Sequence, residues 1–126
     1  MAKKSAIYNE YIVQVKDDGS IEVFRIFDNV KESLREAATT ANFEYDSNWG
    51  TRQFGHNLVK EFGENNMAHI GNYVIAEREN GSIETYRTYD NTKAALREIS
   101  EKCGFEINAD WTTRQLGSKL VDFLLK

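Results

Sequence analysis

A chain of 126 residues, 40% hydrophobic and 29% charged, has the composition of a soluble globular protein, long enough for one ordinary domain or two very small ones sharing a core. Its formal net charge of −4, from 16 Lys and Arg against 20 Asp and Glu, disfavours a broad electrostatic grip on nucleic acid, because phosphate binding is driven by displaced counterions. A single cysteine, Cys103, excludes disulfide stapling and a cysteine-based metal knuckle, no run approaches the roughly 18 apolar residues of a membrane span, and MAKKSAIYNE lacks the apolar core of a signal peptide, so the expectation is a cytoplasmic protein.

The first predicted element is a hairpin. YIVQVK at 11 to 16 and IEVFRIF at 21 to 27 flank Asp17, Asp18, Gly19 and Ser20, and an Asp-Gly pair between β-branched and aromatic runs supplies the positive φ that a tight turn needs. A helix follows. Asp28-Asn29 can cap its first amides, Val30, Leu34, Ala37 and Ala41 recur near helical spacing, and Asn42 is placed to stop it in the left-handed conformation. A connector with Phe43 and Glu44 leads to Trp49 and a second helix over 51 to 62, whose apolar face is Phe54, Leu58 and Phe62. Residues 64 to 72 read as a linker.

From residue 73 the pattern begins again. Pairing 11 to 63 with 73 to 125 at a constant offset of 62 gives 21 identities in 53 positions, where unrelated sequences would give roughly three. YVIAER, Glu79-Asn80-Gly81-Ser82 and IETYRTY form the second hairpin. The next helix is capped by Asp90-Asn91, carries Ala95, Leu96, Ile99 and Cys103 on one face and stops at Gly104, and a last helix over 113 to 125 presents Leu116, Leu120, Phe123 and Leu124. The longest shared stretches are GSIE at 19 and 81, LRE at 34 and 96, and W-x-T-R-Q-x-G at 49 and 111. Gly55 and Gly117 sit inside the last helix of each copy at a cost of about 1 kcal/mol, which suggests close approach of another backbone or ring, of the tryptophan or of the partner copy.

These elements predict an α+β fold: a tandem duplication of a ββαα unit forming one compact pseudo-two-fold domain over residues 1 to 126. An isolated hairpin is marginal in water. The copies are therefore expected to share one interior, as a four-stranded antiparallel sheet with four helices packed on one face.

The chemistry begins with what is missing. There is no glycine-rich phosphate loop, no His-x-x-x-His or Glu-x-x-His pair, and no serine or cysteine in a nucleophile context, so no enzyme, cofactor or metal site is expected. His56 aligns with Ser118, and His69 lies in the linker; solvated or capping roles are favoured for both. Cys103 aligns with Ala41 on an apolar helix face, as a packed thiol would.

Apart from core, both copies keep Arg25/Arg87, Lys31/Lys93, Arg35/Arg97, Glu36/Glu98, Glu44/Glu106 and Arg52-Gln53/Arg114-Gln115. Arg52 and Arg114 fall in a first helical turn, where the macrodipole disfavours a cation and something must compensate. The favoured compensation is an ion pair with Glu44/Glu106 or Glu36/Glu98, together with stacking on Trp49/Trp111. The sharper one is an anion site made of Arg52, Gln53, Arg114, Gln115 and the free helical amides. Strand alternation places Tyr11, Val13 and Val15 on one side of the sheet. Phe24 and Tyr86 are assigned to the other, open side beside Lys16 and Arg78, where rings and cations could stack single-stranded nucleic acid unless another molecule or the termini bury them. Trp49 and Trp111 fit a hydrophobic staple, the favoured role, or a ligand platform.

The functional expectation is a small non-enzymatic binding or regulatory protein, presenting a pseudo-symmetric surface to a protein partner, with no membrane association, as a monomer or weak homodimer. The alternative is a nucleic-acid module using the Arg-Gln helix starts or the open aromatic sheet face.

Overall fold

The computed structural model describes residues 4–126. It is α+β, with six antiparallel strands and four helices in the order β1 (Lys4–Tyr8), β2 (Tyr11–Val15), β3 (Ile21–Ile26), α1 (Val30–Thr40), α2 (Thr51–Phe62), β4 (Met67–Ile70), β5 (Tyr73–Glu77), β6 (Ile83–Thr88), α3 (Thr92–Cys103) and α4 (Thr113–Leu124). Six strands therefore replace the expected four, and the element order is three strands then two helices, twice, in place of ββαα. The extra strands are β1, which pairs with β2 from Lys4↔Val15 to Tyr8↔Tyr11, and β4, which pairs with β5 from Met67↔Ala76 to Ile70↔Tyr73. β4 lies within the stretch expected to be linker. Among the described residues no helix is long and apolar enough to cross a membrane.

Local chemistry sets the predicted boundaries. Gly19 and Gly81 adopt φ of 86° and 87° in the two hairpin turns. Beside them the Oδ1 atoms of Asp18 and Asn80 each accept from the backbone N–H and the hydroxyl of the serine two residues on. Asn29 and Asn91 cap α1 and α3 by accepting from Glu32 N–H and Ala94 N–H. Both helices end at the expected left-handed residues, Asn42 at φ 56° and Gly104 at φ 76°. Thr112 and Gln115 close a capping box at α4, whereas Gly50 gives α2 no side-chain cap.

The chain divides into two compact units, one made of the residues up to Arg25 with Thr88–Lys126, the other of Ile26–Arg87. Each unit combines strands from one sequence repeat with helices from the other. In the first, Tyr11, Val13, Val15 and Val23 pack against Leu96, Ile99, Leu116, Leu120 and Val121 of α3 and α4. In the second, Ala68, Ile70, Ile75 and Ile83 pack against Leu34, Ala37, Phe54, Leu58 and Val59 of α1 and α2.

Two short connections direct this exchange. Phe27, the first residue after β3, donates its N–H to Thr85 O of β6 at 2.9 Å, and Thr85 Oγ1 returns a bond to Phe27 O, so the chain is already anchored to β6 when α1 begins. Likewise Tyr89 N–H bonds Val23 O at 2.9 Å before α3 begins. Hydrogen bonds of this kind contribute about 0.5–1.5 kcal/mol each. Leu34, Leu58, Leu96, Ile99 and Leu120 are fully buried, and each such side chain contributes roughly 1.5–3 kcal/mol. The bonds thus select the path and the packing holds it.

The helical glycines fit the same arrangement. A Cβ at Gly55 would lie 2.5 Å from Ile83 Cγ1 and 2.8 Å from Cγ2; at Gly117 it would lie 2.5 and 2.9 Å from the same atoms of Ile21. The close neighbour is an isoleucine side chain at a strand start of the partner copy, in place of a backbone or a tryptophan ring. Phe62 and Phe123, expected on the buried helix faces, are each 40% exposed, because Val59 and Val121 take the core positions.

Gly55→Ala and Gly117→Ala each test this packing. The gain in helix propensity, about 1 kcal/mol, opposes an overlap with a β-branched side chain that cannot rotate away, which costs about 1–3 kcal/mol. Urea denaturation is expected to show net destabilisation in both, and a smaller cost of the same change in an Ile83→Ala or Ile21→Ala background respectively, which removes the Cγ1 and Cγ2 atoms that the added Cβ meets; an increase in stability would show that the isoleucines yield freely.

Candidate functional site

The repeated Arg-Gln motif lies at the start of α2 and α4, and its arginines reach the hairpin turns of their units. Arg52 Nη1 donates to Asn80 O at 2.9 Å, and Arg114 Nη1 donates to Asp18 O at 2.7 Å. A hairpin carbonyl offsets the unfavourable position of each cation, not the carboxylates of Glu36, Glu44, Glu98 or Glu106. The Asp18 carboxyl is held below its usual range by its bonds to Ser20, with Arg114 adding a smaller pull. Gln115 accepts from Thr112 N–H in the capping box, and Gln53 is exposed at the equivalent turn of α2. The two longest shared stretches thus meet within each unit. The T-R-Q-x-G of a helix grips the G-S-I of a hairpin through the arginine on the turn and the glycine on the isoleucine.

Trp49 and Trp111 are half-buried. Trp49 precedes the N-cap of α2 and meets Phe54, four residues beyond that cap, edge to face at 6.1 Å, the geometry of a hydrophobic staple. Trp111 packs against the core containing Leu116, stacks with Phe105 at 6.1 Å, and carries Lys119 Nζ over its ring at 5.3 Å. The cation on this tryptophan is therefore Lys119 and not Arg114.

Phe24 and Tyr86 lie across from Ile12 and Val74, on the sheet face opposite Tyr11, Val13 and Val15 as expected, but that face is not open. Both rings are 0% exposed, so no base can stack on them. Tyr86 does lie beside Arg78: Arg78 Nη2 donates to its hydroxyl at 3.1 Å, the hydroxyl donates to Glu84 at 3.0 Å, and Arg78 pairs with Glu84.

Arg25/Arg87 and Glu36/Glu98 are shared by both copies but lie far apart along the chain. In the fold they form one cluster per unit. Arg25 lies directly across the strands from Tyr11 and Arg87 from Tyr73. Arg25 stacks over Tyr11 and Tyr89 at 5.8 and 5.7 Å; Arg87 stacks over Phe27 and Tyr73 at 5.5 and 5.9 Å. The tyrosine hydroxyls donate to carboxylates, Tyr11 to Glu98 at 3.2 Å and Tyr73 to Glu36 at 2.6 Å. Burial, and then the glutamate bond, push the Tyr73 phenol up to about 12, and burial with Glu98 raises Tyr11. The recoverable signal was the strand register, which sets each arginine opposite a tyrosine.

The remaining chemistry-bearing side chains have local partners. His56 Nδ1 lies 2.9 Å from Glu77 Oε2, His69 Nε2 lies 3.1 Å from Gly71 O, and the half-buried Cys103 thiol points to Ser100 O at 3.7 Å. Apolar surface is concentrated where each helix pair turns a corner. Phe43 contacts Trp49 and Phe62, with Tyr45 stacked on Phe54; Phe105 contacts Trp111 and Phe123, with Ile107 and Leu125 exposed beside them in sequence.

No protein-family model, no curated protein and no solved structure matches this chain.

Arg52→Ala and Arg114→Ala each remove one bond to a turn carbonyl and are expected to lower stability by about 1 kcal/mol in urea denaturation, with Arg→Lys recovering part of it; an unchanged midpoint would detach the arginines from the turns. The Tyr73 and Tyr86 phenols stand near 12 against an ordinary 10.0. Their raised pKa contributes stability that is fully present below pH 10 and is lost as pH rises through 12. Ultraviolet titration should show two phenols ionising late, and Glu36→Gln should bring Tyr73 earlier.

Proposed function

We propose that this protein is a non-enzymatic binding module that recognises a protein partner through the aromatic corners of its helix pairs, one in each unit. The observation that carries this is the exposure of large apolar side chains at those corners. Tyr45 and Phe62 are 37% and 40% exposed, and Ile107, Phe123 and Leu125 are 39%, 40% and 56% exposed. Such side chains gain most by burial against another protein, and aromatic residues are enriched at such interfaces. The partner's chemistry follows from the loops that carry them. FEYDSNW at 43 to 49 holds Glu44 and Asp46, FEINADW at 105 to 111 holds Glu106 and Asp110, and neither loop has a cation. The surface that fits is an apolar anchor flanked by lysine or arginine.

Less supports the nucleic-acid reading, although Gln53 is exposed. Arg52 and Arg114 are bonded to turn carbonyls, and Phe24 and Tyr86 are buried.

Selection of peptides from a random display library tests the proposal. Enriched peptides are expected to combine an aromatic or large aliphatic residue with Lys or Arg, and to shift the amide resonances of residues 43 to 49 or 105 to 111. Tyr45→Ser with Phe62→Ser should abolish binding at the first corner; each also loses a ring contact, so stability falls by about 0.5–1.5 kcal/mol per pair, and binding is compared where urea denaturation shows the variant folded. Peptides that bind elsewhere, or a salt-weakened complex with an oligonucleotide in a mobility assay, would overturn it.

A further inference from the structure

The two glycine-containing hairpin turns are bonded alike and differ in one functional group. Asp18 and Asn80 stand 62 positions apart. In each turn the side-chain Oδ1 accepts from the backbone N–H of the serine two residues on at 2.9 Å, and from its hydroxyl, at 2.6 Å for Ser20 and 2.7 Å for Ser82. The backbone carbonyls of Asp18 and Asn80 accept from Arg114 and Arg52, and the N–H groups of Gly19 and Gly81 donate to Lys16 O and Arg78 O at 2.9 Å. One turn carries a carboxylate where the other carries a carboxamide.

That carboxamide belongs to the sole Asn-Gly pair in the chain, and Asn80 is exposed. With no side chain on Gly81 its backbone nitrogen is unhindered. Once deprotonated, it is a nucleophile that reaches Asn80 Cγ by closing a five-membered ring. The N–Cγ bond forms, the Cγ–Nδ2 bond breaks, and Nδ2 leaves as ammonia with the proton that the nitrogen gave up. Water then opens the cyclic imide. Attack at Cγ gives aspartate; attack at the backbone carbonyl carbon gives isoaspartate, whose chain runs through the former side chain and is one methylene longer.

The closed turn opposes the first step. The Gly81 N–H is engaged by Arg78 O, the carboxamide is held by Ser82, and Arg52 fixes the carbonyl between them. Reaction therefore requires a local opening, which an exposed turn undergoes at less than the cost of global unfolding. The two products differ in what they rebuild. Aspartate recovers each of these bonds, as Asp18 shows, whereas the longer isoaspartate backbone does not match the turn that Arg78, Ser82 and Arg52 close.

We propose that Asn80 is a site of spontaneous deamidation, gated by opening of its turn, and that the aspartate product re-forms the turn in the way Asp18 already does. The site is separate from the aromatic corners and does not rest on their role.

The test incubates the full chain at mildly alkaline pH, folded and in guanidinium chloride, and compares its digested peptides with synthetic asparagine, aspartate and isoaspartate standards by chromatography. Conversion at residue 80 is expected to exceed that at every other asparagine and to be faster in denaturant than in the folded chain. Folded Arg52→Ala, which loses one bond closing the turn, should convert about two- to tenfold faster than the parent. Gly81→Ala in guanidinium chloride, where the positive φ of the turn imposes nothing, should slow the reaction by hindering the nitrogen. Asn80→Asp should keep the urea midpoint of the parent, and the separated isoaspartate form should fall below it. No conversion at Asn80 in denaturant would overturn the site. Equal rates in the folded and denatured chains, or in the parent and Arg52→Ala, would overturn the gating, and a lowered midpoint in Asn80→Asp would overturn the equivalence with Asp18.

Discussion

The docking of a helix start onto a hairpin turn is the contact on which the rest of the structure depends. In each unit an arginine in the first helical turn bonds a turn carbonyl, and three residues later a glycine lets the helix settle on the isoleucine that opens the following strand. The hairpin and the helix come from different repeats in both cases. Neither repeat provides both halves of its own core, and the two stretches most alike at an offset of 62 are the ones that meet in this contact.

That constraint changes how the shared polar residues are read. Repetition of Arg52-Gln53 and Arg114-Gln115 suggested a duplicated binding site, but the arginines serve the turns and Gln115 closes a capping box. The tryptophans likewise brace a helix start against its connector. The exposed aromatic corners lie outside the docking contact.

Stacked arginines illustrate how a small sequence difference acquires chemical meaning. A guanidinium over two rings keeps its charge and its donors while losing much of its freedom, so it is prepared for a planar anion. In one unit a carboxylate oxygen of Glu10 lies beside the stacked Arg25, and the residue at the corresponding position of the other unit is Asn72.

Much of the secondary structure was legible because its signals are local. Asp-Gly and Asn-Gly turns, asparagine caps and the paired Asn42 and Gly104 stops depend on a few neighbouring atoms, and they fell where the residues indicated. β1 and β4 were missed although Gly71-Asn72, between MAHI and YVIAE, is a hairpin signal. Strands of five and four residues carry too little alternation to stand out, and β4 had been absorbed into a linker. Phe24 and Tyr86 fall on the face that alternation indicates, but that face is covered, because strand periodicity tells which residues share a face and says nothing of what covers it. By itself the sequence determined the repeat, the turns and the helix ends, all governed by near neighbours along the chain. Only the tertiary structure decided which helices cover which strands, and with that the partners of Arg52, Arg114, Gly55 and Gly117, because those contacts join residues far apart in sequence and arise from packing that no local pattern encodes.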